Sequence, residues 1–116
     1  MPNVARAARC RRRAAVKGAL AQACAYGVTV RFADLGDWGR AQLRAEYDPA
    51  VPEIRLNVRV AAVLKADELG EFVALAVGHE LYHHRENIGE IAVLTDRRAR
   101  EAAASRFARE LLERSS

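Results

Sequence analysis

Apolar residues recur at helical spacing near the start of the chain, where Val4, Ala8, Ala15, Ala19 and Ala23 share one face. This predicts a helix over residues 4–26, closed by Gly27. The period then changes. Val28-Thr29-Val30-Arg31-Phe32 alternates apolar with polar, as a strand does. Asp34 to Gly39 holds two glycines and two aspartates and reads as a loop. Alternation returns at Leu43, Ala45 and Tyr47, and again at Ile54, Leu56, Val58 and Val60. Strands are therefore expected over 41–47 and 53–60, joined as an antiparallel pair by the turn-rich 48–52.

Helical spacing resumes with Leu69, Phe72, Val73, Ala76 and Val77, with Asp67 as the expected N-cap. That helix runs through residues 79–84 and ends near Asn87 and Gly89. Thr95 or Asp96 can cap a last helix over 97–114, a stretch rich in Ala, Arg, Glu and Leu. The expected fold is one α+β domain spanning 1–116: a helix, a small mixed or antiparallel sheet, then two helices.

Composition narrows the function classes. The apolar fraction is 51%, but alanine supplies much of it, which favours close helix packing over a bulky core. No apolar stretch approaches the length of a membrane span, and arginines interrupt any secretory signal at the start. Cys10 and Cys24 do not form a CxxC pair and read as reduced thiols of a cytoplasmic protein. The net charge of +4 is uneven, since residues 1–33 carry seven basic side chains and no acidic one. A basic first helix is either a solvated face or a dock for nucleic acid or an acidic partner.

Candidate chemistry gathers at His79-Glu80-Leu81-Tyr82-His83. Residues four apart lie on one helix face, so His79 and His83 can aim two imidazoles at one ion. Zinc suits such ligands and lowers the pKa of its bound water towards neutrality. Glu80 is placed to act as the general base. A peptidase site needs a third protein ligand and an open fourth position. Glu101 falls on the same face of the last helix as Ala104, Ser105, Ala108 and Leu112, a small and apolar face that a carboxylate joins at a cost unless a cation meets it. Glu110 lies on a different, charged face.

These residues resemble the ImmA/IrrE-type metallopeptidases, a branch of the gluzincins. The matching segments are His79-Glu80-Leu81-x-His83 and Glu101-x-x-Ala104-Ser105-x-Phe107-Ala108-x-x-Leu111-Leu112, with strand-like likenesses at 26–30 and 54–57. The resemblance implies a minimal zincin fold, Zn²⁺ held by His79, His83 and Glu101, and Glu80 as catalytic base. It also implies an edge strand, here 53–58, that pairs with an extended protein or peptide substrate such as a transcriptional regulator. Three positions depart from the family pattern. Ser105 stands where an Asn or Asp supports a ligand histidine, Tyr82 where glycine is common, and Glu113-Arg114 where a proline follows the two leucines. Tyr47, Tyr82 and His84 are the candidates for an oxyanion stabiliser. The competing expectation is a non-catalytic module of the same fold, with structural zinc, docking through its basic first helix.

Overall fold

The structure, a computed structural model, describes residues 4–39 and 42–114, with side chains from residue 14 onward. Its architecture is α+β, in the order α1 (Val4–Ala25), β1 (Thr29–Ala33), β2 (Ala45–Asp48), β3 (Glu53–Asn57), α2 (Val58–Ala61), α3 (Ala66–Asn87) and α4 (Arg97–Arg114). The three strands form one sheet in the order β1-β3-β2, with β1 parallel and β2 antiparallel to β3.

The predicted helical face of α1 is the buried one where it is described: Ala15, Ala19 and Ala23 are each 1% exposed. Side chains this small let α1 lie close against α3. Gly27 turns the chain at φ +71°, a conformation that glycine adopts without a Cβ penalty. Val4, Ala8, Cys10 and the arginines of 6–13 lie outside the described side chains; Cys24 is exposed and free.

β3 is the central strand, and this corrects the expectation of an edge strand over 53–58. Ile54 and Leu56 point into the core at 0% and 1% exposure. On the other face Arg55 reaches Glu46 at 2.8 Å, Glu53 at 3.3 Å and Asp48 at 3.4 Å, and Arg31 pairs with Glu53. The sheet therefore has an apolar inner face and a charge-laced outer face, the usual division for a small sheet covered on one side.

The strand expected over 53–60 stops at Asn57. That side chain is buried, accepts from the Arg59 N–H at 3.1 Å to cap α2, and donates to the carbonyls of Gly36 at 3.1 Å and Leu43 at 2.7 Å. A side chain that caps a helix and ties down a loop overrides the period-2 continuation through Val58 and Val60. β2 is likewise shorter than the 41–47 expected, starting at Ala45; Ala41 lies outside the described residues.

α3 is the axis of the molecule, packed by α1, α4 and the sheet. It begins one residue before the expected cap. Glu68 accepts the Lys65 N–H at 3.1 Å, so the helix enters at Ala66 and Asp67 lies in its first turn. Phe72, Val77 and Leu81 are at most 2% exposed. The end near Asn87 is as predicted, with Gly89 at φ +77°. Asp96 then accepts the Arg98 N–H at 3.2 Å and starts α4 where the capping residue required.

The close approach of α3 and α4 is set at Gly78. A Cβ there would lie 2.9 Å from both Cα and Cβ of Ala108, a distance that no side-chain adjustment can relieve because the obstacle is the α4 backbone. Gly78 precedes His79, so this close interhelical contact lies beside the His79–His83 segment.

Candidate metal centre

His79 and His83 lie one turn apart on α3, with ring centroids 5.2 Å from one another. Glu101, in the second turn of α4, faces both. Its Oε2 is 2.7 Å from Nε2 of His79, and its Oε1 is 3.3 Å from Nε2 of His83. One ligand atom from each residue falls within 4.8 Å of the others, so this group could hold a metal ion. The donors are chemically apt: two imidazole nitrogens and one carboxylate oxygen, converging from two helices whose spacing is locked at Gly78. The three residues that the sequence nominated are thus brought together.

Both Nδ1 atoms are engaged from behind, which leaves the Nε2 atoms for the common point. Ser105 Oγ lies 3.3 Å from Nδ1 of His79. Glu86 Oε1 lies 2.7 Å from Nδ1 of His83. Glu86 is itself held by Arg100, through Nε and Nη2 at 3.2 Å each. The Arg100 guanidinium is the main reason that the Glu86 carboxyl is held below its usual range, and burial works against it. Reading the sequence missed this pair. Its one signal is spacing, since Glu86 stands three residues after His83 and shares its face.

Glu80 is half-buried in the same cleft. Burial is the main cause that pushes its carboxyl up to about 7, with a smaller upward contribution from Glu101. A cation at the neighbouring site adds opposite charge and pulls it down again. The cleft measures about 500 Å³, and it is lined by Leu43, Arg44 and Ala45 on the sheet side and by His79, Glu80, Glu101 and Arg109 among others on the helix side. Arg44 and Arg109 are cationic cleft residues that sequence reasoning also missed. Arg44 lies over the Phe72 ring at 5.3 Å.

The three oxyanion candidates are engaged elsewhere and do not line the cleft. Tyr47 O–H meets Nδ1 of buried His84 at 2.5 Å and accepts from Asn87 at 3.4 Å. The His84 ring also stands edge-on to the Tyr26 ring, with centroids 5.9 Å apart, and its pKa is lowered chiefly by burial. Tyr82 packs against Phe107 with centroids 6.1 Å apart. Arg85, one position on from His84, lies over the other part of that aromatic pair, 5.1 Å from the Phe107 centroid.

No helix among the described residues is long and apolar enough to cross a membrane. Comparison of the chain with protein-family models, with curated proteins and with solved structures finds no match.

Proposed function

We propose that this protein is a zinc-dependent metallopeptidase that hydrolyses peptide bonds in an extended segment of a protein substrate. The observation that carries the reading is the convergence of His79 Nε2, His83 Nε2 and Glu101 within 4.8 Å, with Glu80 beside them in an open cleft. Three protein ligands from imidazole and carboxylate are the donor set of catalytic zinc, whereas closed structural sites take four. When bound, Zn²⁺ supplies Lewis-acid chemistry, acidifying its water and polarising the substrate carbonyl.

The chain's own residues supply the rest. Glu80 is a half-buried carboxylate beside His79 in the cleft, where it can accept a proton and later give it to the leaving amine. Its position next to His79 keeps it within the cleft without making it a ligand. β2 is an edge strand, and the residues entering it, Leu43 to Ala45, line the cleft. An extended peptide can add to that edge through main-chain hydrogen bonds, which holds its backbone alongside His79 and Glu80. The edge that serves is β2, not the central β3. The zincin-like arrangement of a sheet edge, an HExxH helix and a following ligand helix is the fold reading that accompanies this proposal.

The test compares wild type with Glu80→Gln for zinc content and for cleavage of an unfolded protein substrate such as casein. One zinc per chain is expected in both. Cleavage is expected to fall by roughly 10²–10⁴-fold in the variant, the usual contribution of a positioned general base. A Glu80→Gln protein as active as wild type overturns the proposal.

A further inference from the structure

The two ligand histidines are backed very unequally. Behind His79 is a single hydroxyl at 3.3 Å, from Ser105. Behind His83 is a carboxylate at 2.7 Å whose side chain is only 3% exposed. Arg100 closes on that carboxylate with two nitrogens, each at 3.2 Å. Glu86 is buried while Arg100 keeps 35% of its side chain exposed, and an apolar residue of similar volume at position 86 would stabilise the fold at least as well as the carboxylate. What the ion pair adds is direction, because it aims an obligate acceptor at one ring nitrogen.

We propose that Glu86 and Arg100 form a positioning pair for His83: Arg100 orients the Glu86 carboxylate, Glu86 accepts the His83 Nδ1–H, and the Nε2 lone pair is left facing the metal position. The inference rests on the reading of His79, His83 and Glu101 as metal ligands. A neutral imidazole carries one ring proton, and the hydrogen bond at one nitrogen decides which. Two carboxylates compete for that proton on His83. Glu86 is nearer and buried, at 2.7 Å, whereas Glu101 is at 3.3 Å with half of its side chain exposed. The proton therefore belongs on Nδ1.

Arg100 has a second consequence, since it is the residue before Glu101 on α4. Its bond to Glu86 on α3 ties down the helical turn that presents the third ligand. One ion pair thus sets the tautomer of one ligand and the placement of another.

Glu86→Gln separates positioning from mere packing, because the two side chains have nearly the same shape. With Arg100 present, the amide turns its oxygen to the guanidinium and its NH₂ to His83. Nδ1 must then accept, and the ring proton moves to Nε2, the atom that a metal needs bare.

The experiment reads ring tautomers from long-range ¹H–¹⁵N correlations of the metal-free protein at about pH 9, where imidazoles are neutral. It also reads Zn²⁺ affinity by chelator competition in wild type, Glu86→Gln, Glu86→Gln/Arg100→Gln and Ser105→Ala, with folding checked by circular dichroism. Wild-type His83 is expected in the Nδ1–H form. Glu86→Gln is expected to show Nε2–H at His83 and to bind Zn²⁺ roughly 10–100-fold more weakly. Ser105→Ala is expected to lose less than Glu86→Gln does. If Glu86→Gln does not fold, the double variant, which also removes the guanidinium left without its carboxylate, takes its place. It is expected to lose the uniform Nδ1–H form and to show an affinity loss of the same order. His83 remaining Nδ1–H in the folded variant, or an unchanged Zn²⁺ affinity, overturns the proposal. A wild type that holds Nδ1–H at His83 but binds no Zn²⁺ overturns the metallopeptidase reading while supporting the positioning of the ring.

Discussion

The last two turns of α3 carry histidines to two opposite ends. On the cleft side, His79 and His83 present Nε2 to Glu101 and are partly exposed, at 25% and 17% of their side chains. On the side facing the sheet and α1, His84 is buried, bonded to Tyr47, and edge-on to the rings of Tyr26 and Tyr47. His83 and His84 are neighbours in sequence, yet one step along a helix is about 100° of rotation, enough to send them into different environments. The cleft face keeps its nitrogens available by engaging the far side of each ring. The opposite face uses one ring to pin α3 to β2 through Tyr47 and to the end of α1 through the Tyr26 ring. A residue type therefore announces chemistry only through what stands behind it.

Four experiments sharpen or break this contrast. The largest effect is expected from Glu101→Ala. The side chain is half exposed, so the fold should survive, but Zn²⁺ affinity should fall by more than the roughly 100-fold that marks the loss of a supporting residue. Metal analysis of the purified variant reads this directly. Retained zinc would remove Glu101 from the ligand set and with it the distinction between the two faces.

Gly78→Ala comes next. Its Cβ meets the Ala108 backbone at 2.9 Å, so α4 must move, at a cost of about 1–3 kcal/mol in stability by denaturant unfolding. Because α4 carries Glu101, zinc binding should weaken along with stability. An unchanged midpoint would show that the two helices are not in fact held at this distance.

Tyr47→Phe acts on the other face. It leaves Nδ1 of His84 buried without its partner, and unfolding free energy should drop by about 1 kcal/mol or somewhat more. Zinc stoichiometry should not change. Loss of the metal in this variant would mean that the structural face and the cleft are one network.

The smallest effect is a pH dependence. His84 has a lowered pKa because burial disfavours its charged form, with Glu90 and the Tyr26 backbone working the other way. Below the unfolded-state pKa of about 6.5, the unfolded chain takes up a proton that the folded chain resists, so stability is lost as the pH falls. His84→Gln should flatten that part of the pH–stability curve. A slope unaltered by the substitution would assign it to other groups.

Much of this was legible in the chain. α4 runs over the residues that its composition and the Asp96 cap dictated, and α3 ends where Asn87 and Gly89 require. Glu101 was legible through helical spacing, which puts it on the face of Ala104, Ser105 and Ala108; the burial cost expected there does not arise, because its side chain is half exposed. Other features were not legible for identifiable reasons. The alternation at Ile54, Leu56, Val58 and Val60 continues past Asn57, but Asn57 is committed to the Arg59 N–H and to two loop carbonyls that no local pattern reveals. The centrality of β3 depends on β1 joining it in parallel from the opposite side of β2, a non-local pairing. Glu86 reads as an ordinary polar residue of a helix end until Arg100, fourteen positions later, is seen to enclose it.

The sequence by itself determined α1, α3 and α4, the face shared by His79 and His83, and the face that carries Glu101, because each follows from helical periodicity. The tertiary structure alone decided which strand is the open edge, which histidine is structural, and what stands behind His83. These outcomes depend on pairs of residues far apart in the chain, whose contact is set by the approach of α4 to Gly78 and by strand order, neither of which a local pattern can encode.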